Sequence, residues 1–91
     1  MVPAPDRRDP MTIQLYHRWR CPYSAKVRDF VEANGLKDQI AYIELSEVAG
    51  AEDDLKALTG RSQVPCLVVD GKPTLESDDI VSWLDGNLVR S

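Results

Sequence analysis

The chain has 91 residues, 43% of them hydrophobic and 29% charged, with a net charge of −4, the make-up of one small domain that can hold a core without staples. Its two cysteines are too few for a disulfide framework or for a zinc site built within the chain, and no stretch approaches the roughly 18 apolar residues of a membrane span. An acidic chain of this kind is also a poor binder of nucleic acid, yet residues 1–30 are locally basic, with six bases (Arg7, Arg8, Arg18, Arg20, Lys26, Arg28) against three acids.

The three prolines and alternating charges of residues 1–10 predict a disordered tail. Met11 follows as a candidate translational start, so residues 11–91 form the expected domain. No apolar signal-peptide core precedes it, and a cytoplasmic setting with reduced thiols is the expectation. Residues 12–16 (TIQLY) alternate as a strand does. Pro22 suits the first turn of a helix, which would place Tyr23, Val27, Phe30 and Val31 on one face and stop at Gly35. Residues 40–45 (IAYIEL) read as a second strand, and Val48, Ala51, Leu55 and Leu58 as the stripe of a second helix ending at Gly60. The apolar run 64–69 (VPCLVV) reads as a central strand. Asp70-Gly71 signals a two-residue hairpin into an edge strand at 72–75. Ser77 can cap a last helix, whose dipole Asp78 and Asp79 complement and whose buried stripe is Ile80, Trp83, Leu84 and Leu88.

A βαβ unit followed by ββα, with four strands and three helices, predicts an α/β fold of the thioredoxin-like kind, a three-layer sandwich around a mixed sheet. Pro65 within an apolar strand makes sense if the bond before it is cis and closes the strand beside a site. The chemistry centres on Arg20-Cys21-Pro22-Tyr23-Ser24. Cys21 would stand at the N-cap of the first helix, where unpaired backbone N–H groups and the dipole favour a thiolate. Arg18, Arg20 and Lys26 would add positive charge. Lowering a thiol pKa by about three units, roughly 4 kcal/mol, makes it almost wholly ionised at pH 7. The intrinsic nucleophilicity lost is smaller, since the Brønsted slope is only about 0.4–0.5. Cys66, in a buried strand, is expected to serve packing, because alternation turns it away from the site.

Cys21-Pro22-Tyr23-Ser24 resembles the C-P-Y-C or C-P-Y-S motif of glutaredoxins. The likeness extends over residues 12–88: Arg18 matches a basic position three before the cysteine, the segment 58–65 (LTGRSQVP) is similar to the family's L-T-G-Q-R-T-V-P, Asp70-Gly71 matches its hairpin, and residues 75–79 (LESDD) resemble its G-G-C/S-D-D turn. This resemblance implies a groove for glutathione beside Cys21. Gln63, Val64 and Pro65 would line it, with Val64's backbone pairing with the tripeptide as an added strand does. Ser77 and Asp78 would receive the γ-glutamyl carboxylate and amine, Arg18 would face the glycyl carboxylate, Arg61 would substitute for the family's arginine that Ser62 replaces, and Tyr23 would wall the groove.

Ser24 stands where a dithiol enzyme has its second cysteine, which makes Cys21 and Ser24 the candidate catalytic pair of a monothiol route. That route is glutathione-dependent thiol–disulfide exchange, with glutathione as co-substrate and glutathionylated proteins as partners, in a monomer that uses no metal. The alternative implied by the resemblance is an [2Fe–2S] module, a dimer bridged by a cluster on Cys21 and two glutathiones. Glu76 before Ser77 is closer to the E-S pair of glutathione transferase amino-terminal domains. A transferase would need an additional helical domain, which is not expected in a chain that ends at Ser91.

Overall fold

In a computed structural model that describes residues 12–89, the first alternating stretch forms strand β1 at Ile13–His17. The tail expected at residues 1–10, and Met11 after it, lie outside the described residues. Helix α1 follows at Pro22–Ala33, strand β2 at Ala41–Glu44 and helix α2 at Ala51–Thr59. Strands β3 (Cys66–Val69) and β4 (Lys72–Thr74) and helix α3 (Ser77–Leu84) complete the order. A 3-10 turn at Lys37–Gln39 leads into β2, and a π-helical turn at Asp85–Val89 extends α3.

Local chemistry explains where these elements stop. Gly35 adopts φ +69° just beyond α1. Its N–H donates to Glu32 O, while that of Leu36 donates to Val31 O, the paired bonds of a Schellman motif that only a residue free to enter the left-handed region closes cheaply. Asp70 and Gly71 both take positive φ, +50° and +85°, and Val69 pairs with Lys72 across them. This is the type I′ turn whose twist suits a hairpin.

The sheet order is β2-β1-β3-β4, parallel between β1 and β2 and antiparallel elsewhere. Because strand side chains alternate between faces, the sheet divides the interior in two. Ile13, Leu15 and Leu67 face Val27 and Val31 of α1 and Ile80 and Leu84 of α3. Tyr16, Cys66 and Val68 face Ala51 and Leu55 of α2 on the other side. The three-layer sandwich with a mixed four-stranded sheet is thus the fold. No helix among the described residues is long and apolar enough to cross a membrane.

Three local expectations are corrected. The buried face of α1 is Ser24, Val27, Arg28 and Val31, one residue round from the apolar stripe, and Tyr23 is 64% exposed. A serine and an arginine sit inside because both are hydrogen-bonded to the segment before the helix. Val48 and Leu58 are exposed: Val48 precedes α2, and Leu58 lies in its last turn, past Leu55. The N-cap of α3 is Glu76, with no side-chain capping bond, so Ser77 is the first helical residue.

Candidate active site

Cys21 is the N-cap of α1, and its Sγ accepts the Ser24 backbone N–H at 3.4 Å. That contact arises because Pro22 occupies the first helical position, where no N–H is needed, and the next free donors, those of Tyr23 and Ser24, point back at the cap. Sγ also lies 3.9 Å from Val64 O, the acceptor for the protonated thiol. Partial burial by itself pushes the thiol up. Hydrogen bonds from the Ser24 backbone and hydroxyl, the Tyr23 N–H and the charge of Arg28 outweigh it, and the pKa falls below the usual cysteine value. Ser24 is fully buried, and its hydroxyl also accepts the Arg18 N–H at 3.4 Å. It is a donor to the thiolate, a role that reading it as a missing cysteine does not reveal.

The charge acting on Cys21 is that of Arg28, not of the three bases expected to do so. The Arg18 guanidinium lies 3.8 Å from Glu52, in a depression shared with Trp19, Arg20, Glu44 and Ser46. Lys26 pairs with Asp78. Long side chains take whichever partner the folded chain brings near, and here those partners come from α2 and α3.

Beside Cys21, across Val64, a groove of about 400 Å³ runs between the start of α1 and the start of α3. Tyr23 and Lys26 form one wall, residues 63–65 the floor, and residues 75–78 the other wall. The Val64-Pro65 peptide is cis. Of the residues expected to bind glutathione, Tyr23, Gln63, Val64, Pro65, Ser77 and Asp78 come together here, while Arg18 stands outside the lining. Arg61 donates to the Gln63 side-chain oxygen at 3.0 Å, which places a cation near the groove's end. Cys66 is sealed on the α2 face of the sheet, where burial pushes its thiol up to about 11. The described residues contain no group of three or more His, Cys, Asp or Glu arranged for a metal ion.

Behind the site, segment 18–20 is held by side chains to which the sequence reading assigned no role. Glu44, nearly buried, accepts the Trp19 N–H at 3.0 Å and the Ser46 N–H and hydroxyl at 2.6 and 2.5 Å. These bonds, the Ser46 hydroxyl foremost, hold its pKa at about 2. A carboxylate pKa lower in the folded than in the unfolded chain adds stability that is present above the unfolded value, about 4.3, and is lost as pH falls through the folded one. Glu44→Gln should therefore unfold less pH-dependently than the parent between pH 4.5 and about 2, as read by urea midpoints across that range.

The layering, the strand order and a cysteine at the start of the first helix, facing the turn into β3, define a thioredoxin-like domain. The chain belongs to the family of the glutathione S-transferase N-terminal domain, whose model matches residues 20–87. Among solved structures it is similar to the beta-etherase LigF from Sphingobium sp. strain SYK-6, with 29% identity and a TM-score of 0.71 over 89% of this chain and 33% of that one. It is also similar to the glutathione transferase Omega 3C of Trametes versicolor, at 24% identity and TM-score 0.69 over 86% of this chain and 34% of that one. Glutaredoxin 2 of Chlamydomonas reinhardtii shares the fold at 22% identity and TM-score 0.64, over 87% of this chain and 76% of that one. The chain spans about a third of the length of the beta-etherase and of the Omega transferase. No curated protein sequence matches it. The family match is thus with the transferase domain, and glutaredoxins enter as neighbours in fold.

Proposed function

We propose that this domain is a glutathione-dependent thiol–disulfide oxidoreductase that reduces protein–glutathione mixed disulfides by a monothiol route. The observation that supports this most is the setting of Cys21: a thiol at a helix start whose pKa is lowered by the donors there, beside a groove, while Cys66 lies buried on the other face of the sheet. The Cys21 thiolate attacks the glutathione sulfur of the mixed disulfide, and the protein thiolate leaves and takes up a proton. The new Cys21–glutathione disulfide is then attacked by the thiolate of a second glutathione, which departs as oxidised glutathione and restores Cys21. Both displacements need the glutathione moiety fixed and the protein moiety outside, which suits a groove whose Val64 lies against the Cys21 sulfur.

The binding roles follow from the lining. The γ-glutamyl carboxylate meets the free N–H groups at the start of α3, and its ammonium replaces Lys26 on Asp78. The backbone of Val64 pairs with the tripeptide, and Tyr23 covers it. Such a reaction belongs in a compartment where glutathione is kept reduced.

The test is a glutathione-coupled reduction of a small glutathione mixed disulfide. Cys66→Ser should turn over within about twofold of the parent, because its thiol is buried and protonated at neutral pH. A loss of tenfold or more would mean that Cys66 resolves the intermediate and the route is not monothiol.

The family match favours a second reading, conjugation of glutathione to an electrophile. There the attacking sulfur is glutathione's own, and no bond to Cys21 forms. Conjugation therefore survives Cys21→Ser, whereas mixed-disulfide reduction does not.

A further inference from the structure

Arg28 is an arginine where the helix pattern calls for a core residue. It lies on the buried face of α1 between Val27 and Val31 and is 9% exposed. A guanidinium in such a place needs partners, and all of them lie just ahead of Cys21. One nitrogen donates to Arg18 O at 3.1 Å, and the other to Trp19 O at 3.3 Å. The first is also 3.1 Å from His17 Nδ1, and the guanidinium carbon stands 4.8 Å over the Trp19 ring. Arginine only donates, so Nδ1 is an acceptor and His17 is neutral, in keeping with a pKa lowered first by burial and then by Arg28.

We propose that Arg28 is a positioning residue for Cys21: a buried guanidinium that fixes segment 18–20 from behind and keeps its positive charge against the turn that leads into the cysteine. The charge is not spent elsewhere. The ion pairs among the described residues are Arg18–Glu52 and Lys26–Asp78. Around Arg28 stand His17 on β1, which Glu44 and Glu47 also influence, and Tyr42 on β2, which Glu32 and Asp29 of α1 also influence. His17 is neutral, the Tyr42 hydroxyl is held protonated to about 12, Glu44 is engaged by Trp19 and Ser46, and Glu47 accepts the Trp19 indole N–H. Carbonyl oxygens and an imidazole satisfy the fork geometrically without cancelling its charge, and its influence on Cys21 persists. Arg28 is not among the residues that line the groove; it acts through the loop and through the field.

The inference rests on Cys21 being the working thiolate, but its test needs no turnover. The pH dependence of Cys21 alkylation is measured on the Cys66→Ser background, with folding checked by circular dichroism. In Arg28→Met the midpoint should rise by about one unit, a tenfold weaker preference for the thiolate. Arg28→Lys keeps the charge but not the fork, and should rise by less. Glu44→Gln loosens the same segment while leaving the cation, and should leave the midpoint in place. A parental midpoint in folded Arg28→Met overturns the proposal, and so does an equal rise in Glu44→Gln, which would reduce Arg28 to a general prop. If Arg28→Met does not fold, Arg28→Lys decides: a raised midpoint supports the proposal and an unchanged one overturns it. Should the midpoints move as expected in a protein that reduces no mixed disulfide, the functional reading fails and this one stands.

Discussion

Cys21→Ser is expected to lower the rate of mixed-disulfide reduction by more than about 10³-fold, since a serine hydroxyl without a general base is not ionised at neutral pH. No other group can take over. Cys66 lies across the sheet among Tyr16, Leu45 and Leu55, and Ser24 is buried with its hydroxyl engaged. The substitution also has a signature in stability. The Cys21 pKa is lowered in the folded chain, so its ionisation adds stability that is fully present above the unfolded value, about 8.5, and is lost as pH falls through the folded value. The parent's advantage over Cys21→Ser should therefore be greatest at alkaline pH and shrink as the solution is acidified. Unfolding midpoints at a series of pH values read this directly. Turnover that survives in Cys21→Ser would remove the oxidoreductase reading, and glutathione conjugation that survives alone would favour the transferase one.

Leu67→Ala carries the largest expected effect on stability. Leu67 sits opposite Leu15 in the β1–β3 register, both fully buried between the sheet and helices α1 and α3. Truncation removes apolar contacts and leaves a cavity in a region already covered on both sides. The loss should be about 3 kcal/mol, within the 2–5 kcal/mol typical of buried leucines, against a total of about 5–15 kcal/mol for such a domain. For a domain of this size that lowers the Tm by about 12–24 °C. Leu58→Ala, at an exposed position in the last turn of α2, should change stability by less than about 0.5 kcal/mol. Thermal melts of the two variants measure the contrast. Comparable losses would mean that Leu58 is packed as tightly as Leu67, against its exposed position. The groove depends on the same strand, because β3 starts immediately after Val64 and Pro65, which form its floor. Leu67→Ala should accordingly lose glutathione affinity at temperatures where Leu58→Ala retains it.

The sequence determined by itself whatever is decided within a few residues. Cys21 becomes a cap because proline follows it and a backbone N–H returns to it from three residues on. Gly35 and Asp70-Gly71 end elements because positive φ is cheap there, and alternation places Leu67 and Cys66 on opposite faces before any packing is known. These choices suffice for the element order and hence for the thioredoxin-like sandwich, and they bring residues 63–65 and 77–78 to the same end of α1.

Only the tertiary structure decided where the charges went. Arg18 reaches Glu52, Lys26 reaches Asp78, and Arg28 turns inward beneath the segment that carries Cys21. Apolar periodicity is a property of one helix or strand, whereas a long cationic side chain has several candidate partners far along the chain. Which of them it meets depends on how the layers stack.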